Sequence, residues 1–516
     1  MSSINQHILI IDYGSQYTQL IARRIREQKI YCVVYPYNKI TVEILNNKLL
    51  LGIILSGGPN SVKDKKSPKL DNKILDLKVP ILGICYGLQL ICEKFKGKIG
   101  QSKSREYGHS IITTKNKSLL FDKIKKNNQV WMSHGDHIEK VPNGFNITSL
   151  SNSKIISSIE NKNKNIFGLQ FHPEVYHSLQ GKQILSNFLF KICKIKDKFF
   201  LENFLNIKIK FLKDGLKGKK VICGLSGGVD STVTSFILHK AIKKNLYCIF
   251  VDHGFLRHNE AHEVENIFKK KFGNNFKKVN ASKIFLEKLK NIKDPERKRK
   301  IIGKTFIKVF EKEAKKIKNV EYLAQGTLYP DIIESVSFFG GPTAKIKSHH
   351  NVGGLPKKMK FKIIEPLKEL FKDEVRNLGS KLNINSDLLN RHPFPGPGLA
   401  IRIPGKIDKK KISILQKVDT IYIKFLKDHF MYHKIWQAFA VLLPVKSVGV
   451  MGDVRTYNYT VSLRAVTSVD GMTADFYMFN KKDFTEISKR IISEVREVNR
   501  VLYDFTSKPP GTIEWE

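Results

Sequence analysis

Gly83-Ile84-Cys85-Tyr86-Gly87 follows a buried-looking apolar run and precedes a helical pattern starting near Leu88. A Cys between two glycines at a strand-to-helix turn has the form of a nucleophile elbow, with sulfur in place of the usual hydroxyl. The glycines permit a turn in which other side chains would clash, and the turn presents the sulfur at the sheet edge. A helix N-terminus behind it favours the thiolate. Phe167-Gly168-Leu169-Gln170-Phe171-His172-Pro173-Glu174 reads as a strand ending in His-Pro-Glu. A thiolate nucleophile needs a base, and the base needs an orienting group. His172 and Glu174 supply both. Ser56-Gly57-Gly58-Pro59, after the apolar Gly52–Leu55, offers backbone N–H groups that could stabilise an oxyanion. Each stretch has a plainer reading: a buried Cys at a turn, a surface His, an ordinary loop. Their coincidence in one α/β pattern favours chemistry.

Ser226-Gly227-Gly228-Val229-Asp230-Ser231 lies between an apolar strand and a helix. Small residues and free N–H groups at a helix start form an anion cradle. The Walker Lys is absent, so this is a different phosphate loop. Asp230 would repel phosphate unless a cation intervened, which suggests Mg²⁺ held by Asp230. The plainer reading makes Asp230 or Ser231 a helix cap.

The elements that must position these residues follow from periodicity. Ile8–Asp12, Tyr31–Tyr35, Gly52–Leu55 and Val79–Ile84 read as strands, and Gln16–Glu27 and Gln183–Lys196 as helices. Such alternation predicts a mostly parallel sheet with covered faces. Lys194–Lys198 reads as a linker. A second α/β region begins at Lys219, with strands Val221–Gly224, Leu246–Asp252 and Leu323–Gln325 and helices Asp230–Lys243 and Glu260–Phe272. Pro393-Phe394-Pro395-Gly396-Pro397-Gly398 can hold neither helix nor ladder and opens a third region. There, Ile412–Asp428 reads as a helix, Val445–Val450 and Tyr457–Ala465 as strands, and Phe484–Val501 as a helix. The expected fold class is α/β, with domains 1–198, 199–391 and 392–516 and an α+β character in the last. The tail from Lys508 to Glu516, taken alone, reads as a frayed terminus.

Composition bounds these readings. The 516 residues are 41% hydrophobic and 27% charged, enough for several cores and too apolar for wholesale disorder. No uninterrupted apolar run approaches the ~18 residues that span a bilayer, so no membrane is expected. The first residues lack a basic, cleavable leader pattern. Six Cys without a C-x-x-C pair argue against a disulfide framework and fit a reducing cytoplasm. The net charge of +43 comes from 90 Lys+Arg against 47 Asp+Glu. The Lys residues are spread along the chain among abundant Ile, Asn and Phe, which reads as compositional bias, so no specific nucleic-acid partner is expected. The field would still steer nucleotides.

The Cys85, His172–Glu174 and Ser56–Pro59 stretches together resemble the class I glutamine amidotransferases, in which a Cys-His-Glu triad hydrolyses glutamine to glutamate and ammonia. The resemblance implies Cys85 as nucleophile, His172 as base, Glu174 as orienter, the N–H groups of Gly58 and Tyr86 as oxyanion hole, and Gln89, Ser133 and Asp136 as glutamine contacts. The Ser226–Ser231 loop resembles that of the N-type ATP pyrophosphatases, which adenylate an oxygen for displacement by an amine. Gln325-Gly326-Thr327-Leu328-Tyr329-Pro330-Asp331, His349–Pro356, Arg391–Gly398 and Lys508–Glu516 resemble the glutamine-hydrolysing GMP synthases. That likeness implies xanthosine 5′-monophosphate (XMP), ATP and glutamine as substrates, Mg²⁺, and a homodimer. It also implies Lys372 as an ATP contact, and Arg299, Lys508 and Glu514 as XMP contacts. The alternatives are another glutamine-fed adenylating enzyme, or a basic nucleic-acid-binding protein without catalysis.

Overall fold

The computed structural model describes residues 6–115, 117–331, 361–451, 453–468 and 473–516. The stretch His349–Pro356 falls outside them. Two compact units emerge, one built on Met1–Phe204 and the other on Leu205–Leu328 with the described residues after 360.

The first unit is organised by a nine-stranded sheet. Its strands are β1 (His7–Asp12), β2 (Tyr31–Pro36), β3 (Leu50–Leu55), β4 (Ile81–Ile84), β5 (Lys98–Thr114), β6 (Asn127–Lys140), β7 (Asn146–Ser151), β8 (Ile156–Asn161) and β9 (Ile166–Leu169), in the order β2-β1-β3-β4-β9-β8-β7-β5-β6. The expected parallel strands are all present, and β2, β1, β3, β4 and β9 run parallel. Strands β3 and β4 are almost wholly buried, as continuous Ile/Leu runs covered on both faces must be. Beyond β9 every pairing is antiparallel, so the sheet is mixed. This half was unread in the sequence because β5 and β6 mix polar and apolar residues without a clear period. Along β6, Asn128, Val130, Met132 and His134 share the buried face. The helix expected over Gln183–Lys196 is α-helical only at Gly181–Ser186 and widens into a π-helical stretch at Asn187–Ile192. There the buried Asn187 amide donates to the Leu120 and Asp122 carbonyls at 3.0 and 2.7 Å.

The second unit has a five-stranded parallel sheet: β10 (Lys220–Leu225), β11 (Leu246–Asp252), β12 (Phe276–Asn280), β13 (Val320–Ala324) and β14 (Lys362–Ile364), in the order β12-β11-β10-β13-β14. A further sheet pairs β15 (Gln437–Met451) with β16 (Val454–Thr467), which also pairs with β17 (Asp475–Phe476) and, in parallel, with β18 (Val498–Tyr503). One core runs through both sheets, from Ile222 and Ile249 to Leu415, Val461 and Ile491. The helix expected over Phe484–Val501 is Lys481–Glu494, and Val498–Tyr503 is a strand. Asn480 caps that helix through the Asp483 N–H at 2.8 Å. After Glu494, alternating burial from Val498 and its β-branched neighbours suit a pleated edge.

The C-terminal tail is anchored, contrary to its reading as a frayed end. Fully buried Arg464 donates to the Ile513 and Thr512 carbonyls at 2.9 and 3.0 Å. Fully buried Arg402 forms a two-pronged pair with Glu514 at 3.1 and 2.8 Å. Trp515 Nε1 donates to Asp504 at 2.9 Å. Glu514→Ala strands a buried guanidinium, leaving it only Asp419 at 3.9 Å as a carboxylate partner. The expected loss is about 3 kcal/mol, read as a lowered thermal midpoint. A midpoint matching wild type would show that the pair contributes nothing.

Candidate active sites

Cys85 sits in the left-handed region at φ 51°, immediately before the helix Tyr86–Lys94. Strain of this kind is maintained by its surroundings. A Cβ on Gly87 would come within 2.4 Å of the Leu55 carbonyl oxygen, and one on Gly83 within 2.6 Å of the Gly87 backbone. Only glycines let the helix start press against the end of β3. Cys85 is buried, at 6% exposure. His172 and Glu174, just past β9, are buried beside it, with His172 Nδ1 2.7 Å from Glu174 Oε1. The Cys85 sulfur is near enough to His172 to act on the charge of its imidazole. Burial disfavours the imidazolium, but the Glu174 carboxylate and the Cys85 sulfur outweigh it and hold His172 well above the usual histidine range. Three of the sequence-predicted residues, Cys85, His172 and Glu174, are therefore gathered and buried together.

The neighbouring residues are also gathered. The N–H groups of Gly58 and Tyr86 have no acceptor among the described residues. Gln89 Nε2 donates to the Asp136 carbonyl at 3.0 Å, and Ser61 Oγ to the Asp136 carboxylate at 2.5 Å. The Ser133 carbonyl lies 3.7 Å from Cys85 Sγ. The sequence reading missed four residues here. Gln170 Nε2 approaches Cys85 Sγ at 3.7 Å, Tyr17 sets its ring edge on His172 at 4.9 Å, and Arg24 Nε holds the Glu174 carbonyl at 3.0 Å; Ser61 is the fourth. These contacts bridge distant segments, so no local pattern announces them.

In the second unit, β10 ends at Leu225 and the helix Val229–Ile242 begins after Gly228. The loop between them is held by its own serines. Ser226 N–H donates to Ser231 Oγ at 3.2 Å, the two hydroxyls lie 3.1 Å apart, and Ser231 Oγ donates to the Gly228 carbonyl at 3.2 Å. Gly227 takes φ 78°. Asp230 stands in the first helical turn, where the helix dipole favours negative charge. Gly326 lies against it: a Cβ there would meet the Asp230 carbonyl carbon at 2.9 Å. That gives the Gln325-Gly326-Thr327 stretch a physical reason. Lys372 opens the helix Lys372–Lys381, exposed, and Gly379 of that helix faces Val233 of the loop's own helix.

Of the residues expected to contact XMP, Lys508 and Glu514 lie in the tail and Arg299 lies on the helix Pro295–Ala314. Arg299 Nη2 donates to the Glu516 carbonyl, and fully buried Lys298 pairs with the Glu516 carboxylate and donates to the Ile403 carbonyl at 2.8 Å. Glu514 is held by Arg402 and by Gln437 Nε2 at 2.6 Å. Lys508 forms an antiparallel bridge with Ala474, its backbone bonds 3.0 and 2.7 Å long. Lys298, Arg402 and Gln437 went unmarked in the sequence.

Comparison with known proteins matches residues 9–192 to the model described as glutamine amidotransferase class-I, 201–305 to NAD synthase, and 424–515 to the GMP synthase C terminal domain. The GMP synthase [glutamine-hydrolyzing] of Clostridium botulinum (strain Kyoto / Type A2) is 51% identical over 509 residues, covering 99% of each chain. That of Clostridium kluyveri (strain ATCC 8527) is 52% identical with the same coverage. Among solved structures, a glutamine amidotransferase from Thermotoga maritima matches with TM-score 0.32 and 17% identity, over 37% of this chain and 100% of that one.

Proposed function

This chain belongs to the glutamine-hydrolysing GMP synthase family, and on that premise we propose that it aminates XMP to GMP at the cost of ATP and glutamine. The observation that carries the reading is the buried His172–Glu174 pair acting beside Cys85 in a chain that also holds the Ser226–Ser231 loop. Cys85 Sγ attacks the glutamine amide carbon, and the amide oxygen becomes negative within reach of the Gly58 and Tyr86 N–H groups. His172 passes a proton to the departing ammonia, and Glu174 keeps its Nδ1 fixed. Water then releases glutamate from the thioester by the same proton path. Gln89, Ser133 and Asp136 hold the glutamine.

In the second unit the loop Ser226–Ser231 cradles the ATP phosphates, and Lys372 adds a cation for them. The XMP C2 oxygen attacks the α-phosphate and pyrophosphate leaves. Ammonia attacks C2 and AMP leaves. Mg²⁺ fits this loop as a partly phosphate-held ion. Among the described residues no cluster of three or more His, Cys, Asp or Glu could hold a metal alone, and Mg²⁺ commonly takes one carboxylate plus phosphates and water. Asp230 would hold it, and its chemistry when bound is neutralisation of phosphate charge. Arg299, Lys508 and Glu514 serve XMP, the first and last through the anchored tail.

The same reading assigns 1–198 to glutamine hydrolysis, 199–391 to adenylation and 392–516 to XMP binding and dimerisation. Exposed Val445, Val448, Val450, Val454 and Tyr457 on the β15–β16 hairpin offer an apolar surface for a homodimer. Six free, buried cysteines suit a reducing cytoplasm. No helix among the described residues is long and apolar enough to cross a membrane. Neither membrane nor specific nucleic acid is assigned as a partner. The test is ATP cleavage with ammonium as nitrogen source: AMP and pyrophosphate should form only when XMP is present. XMP-independent cleavage, or cleavage to ADP, would refute the adenylation assignment.

A further inference from the structure

His134 lies inside the Trp131-Met132-Ser133-His134-Gly135-Asp136 stretch, yet the reaction as derived leaves it without a task. It points into the fold, on the buried face of β6. Directly opposite on β5 stands Glu106. A register irregularity between Gln101 and Glu106 sets this pairing, so the carboxylate meets the imidazole across the ladder. His134 Nε2 lies 3.2 Å from Glu106 Oε2, with the two side chains 2% and 9% exposed. The other ring nitrogen, Nδ1, lies 3.1 Å from the Asp136 carbonyl oxygen. That same oxygen receives Gln89 Nε2. Glu106 is itself fixed by Ser151 Oγ at 2.9 Å on β7. Burial opposes its ionisation, but hydrogen bonds from His134 and Ser151 bring its carboxyl below the usual carboxylate range.

We propose that Glu106 and His134 are a positioning pair for the glutamine site, fixing the Ser133–Asp136 stretch of β6 against Cys85 and Gln89. This rests on the glutamine-hydrolysing reading of that site. A buried carboxylate and imidazole are costly unless paired; here they face each other at 3.2 Å, and their hydrogen bonds to Ser151 and the Asp136 carbonyl depend on the observed course of β6. His134 clamps the Asp136 carbonyl from one side while Gln89 holds it from the other. The Asp136 carboxylate then stays on Ser61, and the Ser133 carbonyl stays beside the nucleophile. Releasing the clamp frees the Asp136 carbonyl on one side, which weakens glutamine binding while leaving the sulfur and its base in place.

The experiment follows alkylation of Cys85 by iodoacetamide in the full chain, read by peptide mass spectrometry, across a glutamine titration. In wild type, glutamine protects Cys85. In His134→Ala the glutamine concentration for half-protection should rise about tenfold or more, as expected for one lost buried hydrogen bond with a charged partner behind it. The alkylation rate without glutamine should match wild type. His134→Asn, whose amide can still donate to the Asp136 carbonyl, should recover part of the loss, and Glu106→Gln should resemble it. Half-protection at the wild-type concentration in His134→Ala overturns the proposal. So does an altered alkylation rate without glutamine in both His134→Asn and Glu106→Gln, which would mark a purely structural pair. Failure of glutamine to protect even wild type would instead refute the glutamine site itself.

Discussion

Cys85→Ala is expected to abolish glutamine-dependent GMP formation, by about four orders of magnitude or more, and to leave synthesis from concentrated ammonium at alkaline pH intact. On this account the sulfur is the nucleophile, at a strained φ of 51° and near a His172 whose Nδ1 is fixed 2.7 Å from Glu174. Removing it takes the nucleophile away but disturbs little else. The side chain is small, and the turn is set by Gly83 and Gly87 rather than by sulfur packing. The Ser226–Ser231 loop lies in the other compact unit and keeps its serine network. Steady-state GMP formation with each nitrogen source is the measurement. Loss of both activities in a folded variant would show that Cys85 serves more than ammonia supply.

Asp230→Asn should do the reverse. GMP formation from glutamine and from ammonium should fall together, by about a hundredfold or more, because phosphate charge neutralisation is worth several kcal/mol. The amide has nearly the same shape, so the helix start and the close Gly326 contact should survive. Glutamine hydrolysis measured by glutamate release should persist at its basal level, since Cys85, His172 and Glu174 are untouched. Unchanged AMP formation would return Asp230 to the role of a helix cap.

The parts of this molecule that were legible from its sequence share one physical property: the chemistry and the geometry are local. The Cys85 elbow is a strand, a tight turn and a helix within a few residues, and His-Pro-Glu carries an imidazole and a carboxylate side by side. The Ser226–Ser231 loop likewise closes on its own hydroxyls. Continuous Ile/Leu runs marked β3 and β4, because strands buried on both faces need no alternation. The antiparallel half of the first sheet was not legible. Its long hairpin mixes polar and apolar residues, and its meaning lies in register, as Glu106 opposite His134 shows. The tail was misread for the same reason. Nothing within Lys508–Glu516 tells that Arg402 and Arg464, distant in sequence, will be buried waiting for its carbonyls and carboxylate. The end of the last helix was overrun because Val495–Val501 suits helix and strand alike until its pairing with β16 decides.

The central claim is that glutamine nitrogen reaches the purine of XMP through an adenylated oxygen, and one measurement addresses it directly. The chain is supplied with XMP, ATP, Mg²⁺ and glutamine carrying heavy nitrogen in its amide, and the products are analysed by mass spectrometry. The account predicts GMP carrying one heavy nitrogen, with one AMP, one pyrophosphate and one glutamate formed for each GMP. Unlabelled GMP, or label transfer accompanied by ADP instead of AMP, would contradict it.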